Sequence, residues 1–294
     1  MNMMAERILN LNIEHPKISE IYKIMDSMMK RPGKTRHLFI MGSSNVGKTT
    51  LANNYVKNYP GYVQENSDGT EIDIKPVLYV EIPHPFTLME FYFEIIDALG
   101  APRVEINPKV NELKVRVYHL LKTQKVKLII FDELNNILTS RINNSEAMDA
   151  IKHLANKTGV TLVLMGTPEA KTLRGLDEQY KSRYRPKALT RFEYCDEEFC
   201  DFLNRIEAEI APPKPIGLGN KMTYLPQLLF EQSKGKIGYL VPIIQEAFGI
   251  LGAFEEDIDE KELPNLTPDI LNDAYKIIQG DLLDDILDQK ISFG

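Results

Sequence analysis

The chain has 294 residues, enough to bury a sizeable core in one large domain or two modest ones. Hydrophobic residues make up 43% of it and charged residues 26%, as in an ordinary globular protein. No run approaches the roughly 18 consecutive apolar residues of a membrane span, and the first residues lack the apolar stretch of a signal peptide. We therefore expect a cytoplasmic protein without a membrane partner.

The formal net charge of −7 is distributed unevenly. Residues 255–294 hold twelve Asp or Glu against three Lys or Arg, which leaves +2 on residues 1–254. Within that body the stretches 103–127 and 171–191 are basic, each with seven Lys or Arg against two acids. Such a stretch is either a solvated helix face or a surface that contacts an anion.

The two cysteines, Cys195 and Cys200, are spaced C-x4-C among acidic residues. They lack the second pair of Cys or His ligands that a zinc site would need. We interpret them as reduced thiols, one of them on a buried helix face.

Helical and strand patterns alternate through the first two thirds of the chain. After Pro16, which suits a first-turn position, apolar residues repeat at helical spacing and predict a leading amphipathic helix. Short runs that are apolar on both faces, typical of buried parallel strands, follow at Leu38–Met41, Val77–Ile82, Leu128–Phe131 and Val160–Met165. Helices are predicted between them at 48–58, 87–99, 108–124 and 145–157, the second opened by the capping box Thr87-x-x-Glu90. This alternation indicates an α/β fold with a parallel sheet between layers of helices.

Beyond about residue 193 the strand pattern stops. Helices are predicted instead at 196–211, 223–234, 239–252 and 268–279. The sequence thus predicts an α/β domain over 1–192 that includes the leading helix, an all-helical domain over 193–280, and an acidic tail over 281–294. Within the tail, Asp281–Asp288 places leucines and an isoleucine on one stripe with aspartates around it.

The strongest motif is G-x-x-x-x-G-K-T, which follows a predicted strand and opens a predicted helix. In that context the loop backbone and the helix N-terminus bind phosphates, whereas a chance Gly-rich turn is the alternative. Lys48 should reach the β- and γ-phosphates of ATP, and the Thr49 hydroxyl should coordinate Mg²⁺. The predicted nucleotide-binding residues are Gly42, Ser43, Ser44, Asn45, Val46, Gly47, Lys48, Thr49 and Thr50.

An acidic pair, Asp132 and Glu133, directly follows the third apolar run. The carboxyl end of a buried strand is where open α/β sheets bind ligands. Asp132 would hold the Mg²⁺ shell, and Glu133 would polarise the attacking water. Because small-molecule kinases with a P-loop generally have no use for a water-activating glutamate, this pair favours ATP hydrolysis over phosphoryl transfer.

Further catalytic candidates lie beyond the fourth run. Thr167 stands at its tip and could sense the state of the γ-phosphate, although a helix N-cap followed by Pro168 explains it equally well. Arg183 is the first candidate for an arginine finger supplied by a neighbouring subunit, and Arg185 the second; both could also be ordinary surface arginines.

Together these elements resemble AAA+ ATPases, and more narrowly the TniB/TnsC family of transposition regulators of Tn-type and CRISPR-associated transposons. The resemblance covers about residues 12–255. Beyond the ATPase motifs it rests on His15-Pro16, Asn136-Ile-Leu138, Ile151–Asn156, Val163–Thr167, the box Asp177-x-Gln179-x-x-x-Arg183-Tyr184, and Gly235-x-Ile-Gly238. It implies an AAA+ αβα sandwich followed by a helical lid. It also implies an ATP-dependent ring or filament on double-stranded DNA, which recruits the transposase and a target-selection protein of the same transposon. ATP hydrolysis would then disassemble this ring or filament.

Two features depart from the family pattern. Tyr239 stands where many AAA+ lids have a sensor arginine, so Lys234 or Lys236 could substitute. The segment 84–87 lacks the lysine that some relatives use towards DNA. The basic stretch then supplies the predicted DNA-binding residues, which are Arg103, Lys109, Lys114 and Arg116.

Two other functions fit the same motifs. An AAA+ ATPase of this kind could load or remodel a protein partner, or it could be a nucleotide-gated switch that does not bind DNA. Stimulation of ATP turnover by duplex DNA separates the switch from the other two functions. Dependence on transposase and transposon ends then separates the regulator from the loader.

Overall fold

The computed structural model describes residues 3–32, 37–65, 67–103, 108–255, 263 and 265–279. They form two compact units, an α/β unit over residues 17–190 and a helical unit that combines the described residues up to Pro16 with those from Arg191 onward. The predicted tail, 281–294, lies outside the described residues. No helix in the described ranges is long and apolar enough to cross a membrane.

The α/β unit contains seven strands and seven helices among its described residues. The strands are β1 His37–Met41, β2 Tyr62–Glu65, β3 Glu71–Ile74, β4 Val77–Glu81, β5 Leu128–Asp132, β6 Thr161–Gly166 and β7 Tyr184–Ala188. The helices are α2 Pro16–Met29, α3 Lys48–Lys57, α4 Leu88–Ala98, α5 Val110–Thr123, α6 Asn144–Thr158, α7 Lys171–Gly175 and α8 Glu178–Arg183, with 3-10 turns at Leu134–Ile137 and Pro168–Ala170. The strands and helices predicted in this region are all present, with ends shifted by one or two residues.

Five of the strands form one parallel sheet in the order β4-β5-β6-β1-β7. Successive side chains of a strand point to opposite faces, and both faces of this sheet are covered. On β1, Phe39 belongs to the apolar cluster on one face, whereas Leu38 and Ile40 belong to the cluster on the other. The apolar runs of the sequence are therefore strands buried on both sides, as the predicted αβα sandwich requires.

Three strands were not predicted from the sequence. β7 is an edge strand with exposed Arg185 and Pro186, and its polar composition hides it from an apolar pattern. Proline is tolerated there because an edge strand has one unpaired side. The antiparallel hairpin of β2 and β3 is largely exposed, so it lacks the apolar alternation of a half-buried strand.

The helical unit contains five described helices. They are α1 Met3–Leu9, α9 Glu197–Ile210, α10 Leu225–Ser233, α11 Ile237–Ile250 and α12 Pro268–Gln279. The predicted domain boundary placed residues up to 16 with the α/β domain, but α1 packs in the helical unit instead. Met4 and Ile8 are buried in its apolar core, and the Gln245 side chain donates to the carbonyl of Ile8 over 2.8 Å. α1 makes these contacts because its apolar positions face α9 and α11.

Both cysteines are free thiols in this unit. Cys200 is buried in the first turns of α9, and Cys195 is partly buried just before the helix. Burial raises the pKa of Cys195 to about 11, so the thiol stays protonated near neutral pH.

Candidate functional site

The predicted phosphate loop connects β1 to α3. Its first glycine is packed so closely that a Cβ atom would lie 2.5 Å from the carbonyl oxygen of Leu189, so no larger residue fits. Its last glycine, Gly47, has φ 97°, a conformation that favours glycine, and serves as the N-cap of α3. The backbone N–H of Gly42 donates to the carbonyl of Gly166 at the end of β6, which ties the loop to the neighbouring strand.

Lys48 is buried inside this loop. Its Nζ donates to the carbonyl oxygens of Gly42 over 2.9 Å and Ser43 over 3.1 Å. A lysine held in this way points into the concave side of the loop, where the N-terminus of α3 also directs its positive end. This is the arrangement that binds a phosphate chain. Val46 is buried beneath the loop, whereas Ser44, Asn45, Thr49 and Thr50 are exposed.

Thr49 and Asp132 meet, as the sequence predicts. The Thr49 hydroxyl donates to Asp132 Oδ2 over 2.7 Å, and Asp132 is fully buried. The same carboxylate oxygen accepts a longer hydrogen bond, 3.4 Å, from the hydroxyl of Tyr79 on β4. Burial, and then the negative charge of Asp132, raise the pKa of Tyr79, so this hydroxyl remains a donor.

Glu133 begins the turn after β5 with φ 54°, an uncommon conformation for a side chain other than glycine. Its backbone N–H donates to Asp132 Oδ1 over 2.8 Å, which orients the neighbouring carboxylate. Its own Oε2 accepts from Asn135 Nδ2 over 3.2 Å, while Asn135 Oδ1 accepts from the backbone N–H of Thr167 over 3.4 Å. One amide side chain thus connects the predicted water-activating residue to the predicted sensor.

These residues fit a nucleotide with Mg²⁺. A threonine hydroxyl and a carboxylate oxygen at hydrogen-bonding distance are the oxygen donors that Mg²⁺ prefers, and they lie at the mouth of the phosphate loop. Bound Mg²⁺ would neutralise charge that develops on the phosphates. Lys48 would bind the phosphates, Thr49 and Asp132 would hold the metal, and Glu133 would accept a proton from the attacking water.

Thr167 follows β6 at the N-cap position of the short turn that Pro168 opens, but its side chain makes no capping hydrogen bond. Its position is compatible with either predicted role. A hydrogen bond from its side chain holds the pKa of Glu169 below the ordinary value. The hydroxyl is therefore engaged within its own turn and would have to rotate to reach a phosphate.

The two candidate finger arginines lie on either side of the first residue of β7. Arg183 ends α8, and its guanidinium donates to Asn156 Oδ1 over 2.8 Å. Arg185 is exposed on β7. Another arginine, Arg174 of α7, holds this junction: its Nε donates to the carbonyl of Tyr184 and its NH2 group to that of Lys181, each over 2.8 Å.

The four predicted DNA-binding residues differ in how they are engaged. Arg103 forms an ion pair with Asp97 and lies 4.6 Å from the ring centre of Phe93. Arg116 donates to the carbonyl of Pro102 over 2.6 Å. Lys109, the N-cap of α5, is exposed, and Lys114 on the same helix is partly exposed. Two of the four cations are thus already held by neighbouring groups of the chain.

The candidates for a sensor in the helical unit surround the start of α11. Lys234 has φ 53° in the turn after α10, and Lys236 is the N-cap of α11. The Lys236 ammonium lies 5.6 Å from the ring centre of Tyr239. The predicted helix 239–252 begins two residues earlier than expected, so Tyr239 belongs to its first turn.

Sequence reasoning missed Tyr79, Asn135 and Arg174 as parts of the site. Tyr79 gives no signal because an apolar run with one tyrosine predicts only a strand. Leu134 separates Asn135 from the acidic pair, and the polarity of Asn135 in a partly buried turn is the one available hint. Each of the three side chains contacts a residue ten or more positions away in the chain, so the local sequence does not reveal the contact.

In a comparison with protein families, the family described as bacterial TniB protein matches residues 9–194. Comparison with curated protein sequences finds no match.

Several solved structures are similar in fold. The ORC2 protein of Aeropyrum pernix, described in ADPNP–ADP complexes, has a TM-score of 0.62 at 16% identity, over 96% of this chain and 74% of that one. Cdc6p of Pyrobaculum aerophilum has a TM-score of 0.65 at 13% identity, over 95% and 73%. The ORC1 protein of A. pernix, described in complex with DNA, has 0.62 at 14%, over 95% and 71%. Identities this low establish the fold alone, and that fold is the AAA+ fold.

The family match covers the α/β unit and the hydrolysis site built on it, and the fold is that of AAA+ P-loop proteins. The phosphate loop, Asp132 and Glu133 are the residues that would provide phosphate binding, metal coordination and water activation. The chain belongs to the TniB family and is an AAA+ P-loop ATPase.

Proposed function

We propose that this protein is an ATP-dependent, DNA-binding regulator of transposition. It forms a ring or helical filament on double-stranded DNA, marks the target site, and recruits the transposase and the target-selection protein of the same transposon. ATP with Mg²⁺ holds the assembly together, and hydrolysis releases it. Membership of the TniB family supports the link to transposition.

The observation that carries the proposal is the position of Arg183 relative to the phosphate loop. Arg183 precedes Tyr184, which pairs with the first residue of β1, whereas the loop follows the last residue of β1. The strands are parallel and rise about 3.3 Å per residue, so Arg183 lies roughly 20 Å from its own loop along the sheet. An arginine at that end of the sheet serves the ATP site of another copy, which makes hydrolysis dependent on assembly.

The charge distribution supports DNA as the scaffold. The acidic residues are concentrated beyond residue 255, and the rest of the chain carries +2. The ORC1 structure with a similar fold is described in complex with DNA, which is a property of that protein and supports the same proposal here. Backbone phosphates give affinity without sequence information, so we expect weak sequence preference.

The experiment measures ATP turnover with and without duplex DNA for wild-type protein, Lys48→Ala, Arg183→Ala and a mixture of the two variants. Lys48→Ala should not bind ATP, and Arg183→Ala should bind ATP without hydrolysing it. In the mixture on DNA, the intact ATP site of an Arg183→Ala subunit can lie next to the intact Arg183 of a Lys48→Ala subunit, so we expect partial recovery of turnover. Lys181→Ala is the matched control, because it removes an exposed cation from the same helix.

Each possible result decides between functions. A mixture that co-assembles on DNA without recovering turnover contradicts a finger supplied across the interface. Turnover that duplex DNA does not change favours the nucleotide-gated switch. Turnover that DNA stimulates, in a protein that neither binds transposase nor promotes insertion of transposon ends, favours a loader of another partner.

A further inference from the structure

A pocket of about 260 Å³ lies between α2 and the edge strand β7 of the α/β unit. The apolar side chains of Ile24 and Met28 contribute to its lining, and three cations surround them: Lys23, Arg31 and Arg185. All three cations are exposed. The hydroxyl of Ser27 also lines the pocket.

The cations converge because of helix periodicity. Residues 23, 27 and 31 follow one another at intervals of four, so they share one face of α2 and the turn that continues it. Lys187 of β7 forms a 2.5 Å ion pair with Glu20 of α2, which connects the two walls of the pocket. This pair also neutralises the one acidic residue in the lining.

The pocket therefore keeps its positive charge. In the part of the chain that the structure describes, none of its three cations forms an ion pair, and Arg31 makes only a 3.4 Å contact with the Ser27 hydroxyl. The predicted DNA-binding stretch differs, since Arg103 is paired with Asp97. Free cations attract a polyanion more strongly than cations whose charge is already balanced.

The phosphates of the protein's own nucleotide do not account for this pocket. Arg185 pairs with Leu38 of β1, three residues before the strand ends at Met41. The phosphate loop starts one residue later, at Gly42, so at about 3.3 Å per residue Arg185 lies roughly 13 Å from it along the strand. The pocket is therefore distinct from the phosphate loop.

We propose that the pocket binds a backbone phosphate of double-stranded DNA. Arg31 and Arg185 offer planar donor groups, Lys23 adds a point charge, and Ser27 adds a hydroxyl, which are the groups that commonly contact phosphate oxygens. The inference rests on the proposed function, because it assumes that the protein binds duplex DNA. It moves the main phosphate contact from α5 to α2 and β7.

The test compares wild-type protein with the double variant Lys23→Gln/Arg31→Gln. Fluorescence anisotropy with a labelled duplex, in a non-hydrolysable ATP analogue, gives the DNA affinity over a series of salt concentrations. Loss of one phosphate contact should lower the slope of log affinity against log salt by about 0.9 and weaken binding about tenfold at low salt. Lys30→Gln is the matched control, since Lys30 is an exposed cation beside this face that does not line the pocket. Its slope should stay at the wild-type value.

Thermal unfolding midpoints establish that the variants are folded before their slopes are compared. If wild-type protein binds duplex DNA and the folded double variant keeps the wild-type slope, the pocket is not a DNA contact and only this inference fails. If wild-type protein does not bind duplex DNA, the proposed function fails with it. If DNA binding is unchanged but ATP-dependent self-association is lost, the phosphate belongs to nucleotide held by a second copy, which overturns the assignment to DNA.

Discussion

At the scale of single residues, the site depends on how its charged groups are held by neutral neighbours. Asp132 is fully buried, yet each of its oxygens accepts hydrogen bonds, from Thr49 and Tyr79 on one side and from the Glu133 backbone on the other. A buried carboxylate is tolerated only with such partners or a metal. Its geometry is therefore set before a metal binds.

Tyr79→Phe should weaken Mg²⁺ binding, because it removes a hydrogen bond to Asp132 but leaves the metal ligands in place. The lost hydrogen bond is long, so we expect Mg²⁺ binding to lose about 1 kcal/mol. The Mg²⁺ concentration that gives half-maximal binding of the nucleotide should rise roughly fivefold. The measurement is the binding of a fluorescent ATP analogue as Mg²⁺ is titrated. Tyr22→Phe is the control, because the Tyr22 hydroxyl donates to the carbonyl of Leu51 and does not contact Asp132. Equal Mg²⁺ titrations for both variants and wild type would contradict a role for Tyr79.

The buried His37 should make the free energy of unfolding depend on pH. Its Nδ1 accepts from the backbone N–H of Leu162 over 3.1 Å, so the ring is neutral in the fold. Burial, and then the positive charge of Arg183, lower the pKa of His37 to about 4 from 6.5. In the unfolded chain the group takes up its proton near 6.5, so the stability it confers is complete above that pH and is lost as pH falls to about 4. The total loss is about 3 kcal/mol.

Urea unfolding midpoints of wild type and His37→Gln over this pH range measure that contribution. The variant does not titrate at this position, whereas carboxylates titrate in both proteins and cancel in the difference. The wild type should therefore lose more stability than the variant between pH 6.5 and about 4. Parallel profiles would show that His37 is protonated at its ordinary pKa.

At the scale of secondary structure elements, the junction between α8 and β7 determines where Arg183 lies. The last carbonyls of a helix have no partner within it, and a positively charged side chain stabilises that end. Arg174 does both here, because it donates to one carbonyl of α8 and to the first carbonyl of β7. We therefore expect Arg174 to be a positioning residue for Arg183, the proposed finger.

Arg174→Lys keeps the charge but cannot donate to both carbonyls from a rigid planar group. We expect ATP affinity to remain and DNA-stimulated turnover to fall about tenfold, since a misplacement of about 1 Å costs rate in this range or more. Lys171→Gln, an exposed change on the same helix, should leave both quantities at the wild-type level. Loss of ATP affinity in Arg174→Lys would instead indicate a general disturbance of the unit.

At the scale of the whole molecule, the helical unit combines residues up to Pro16 with residues from Arg191 onward. α1 contributes Met4 and Ile8 to a core otherwise made from residues beyond 190. The segment from Lys17 to Thr190 is a unit of its own. The core of the helical unit is therefore built from residues on both sides of the α/β segment.

Ile8→Ala should destabilise the helical unit selectively by about 2–5 kcal/mol, because it leaves a cavity in a closed core. Hydrogen exchange should become faster in α9 and α11 while protection in β1, β5 and β6 remains. Leu9→Ala is the control, since Leu9 is 50% exposed. Faster exchange confined to the sheet would place α1 with the α/β unit after all.

The phosphate loop, the acidic pair and the strands that precede them could be predicted from the sequence alone. These features are recognisable because each motif joins directly to a strand or helix whose apolar pattern is local. The AAA+ fold and the TniB family followed from their order, and both are confirmed. Which elements lie side by side is visible only in the folded chain: β7 beside β1, α1 with the helices beyond residue 190, and Tyr79 against Asp132. These contacts join residues far apart in the chain, and polar or exposed segments such as β7 carry no periodic signal from which such pairing could be predicted.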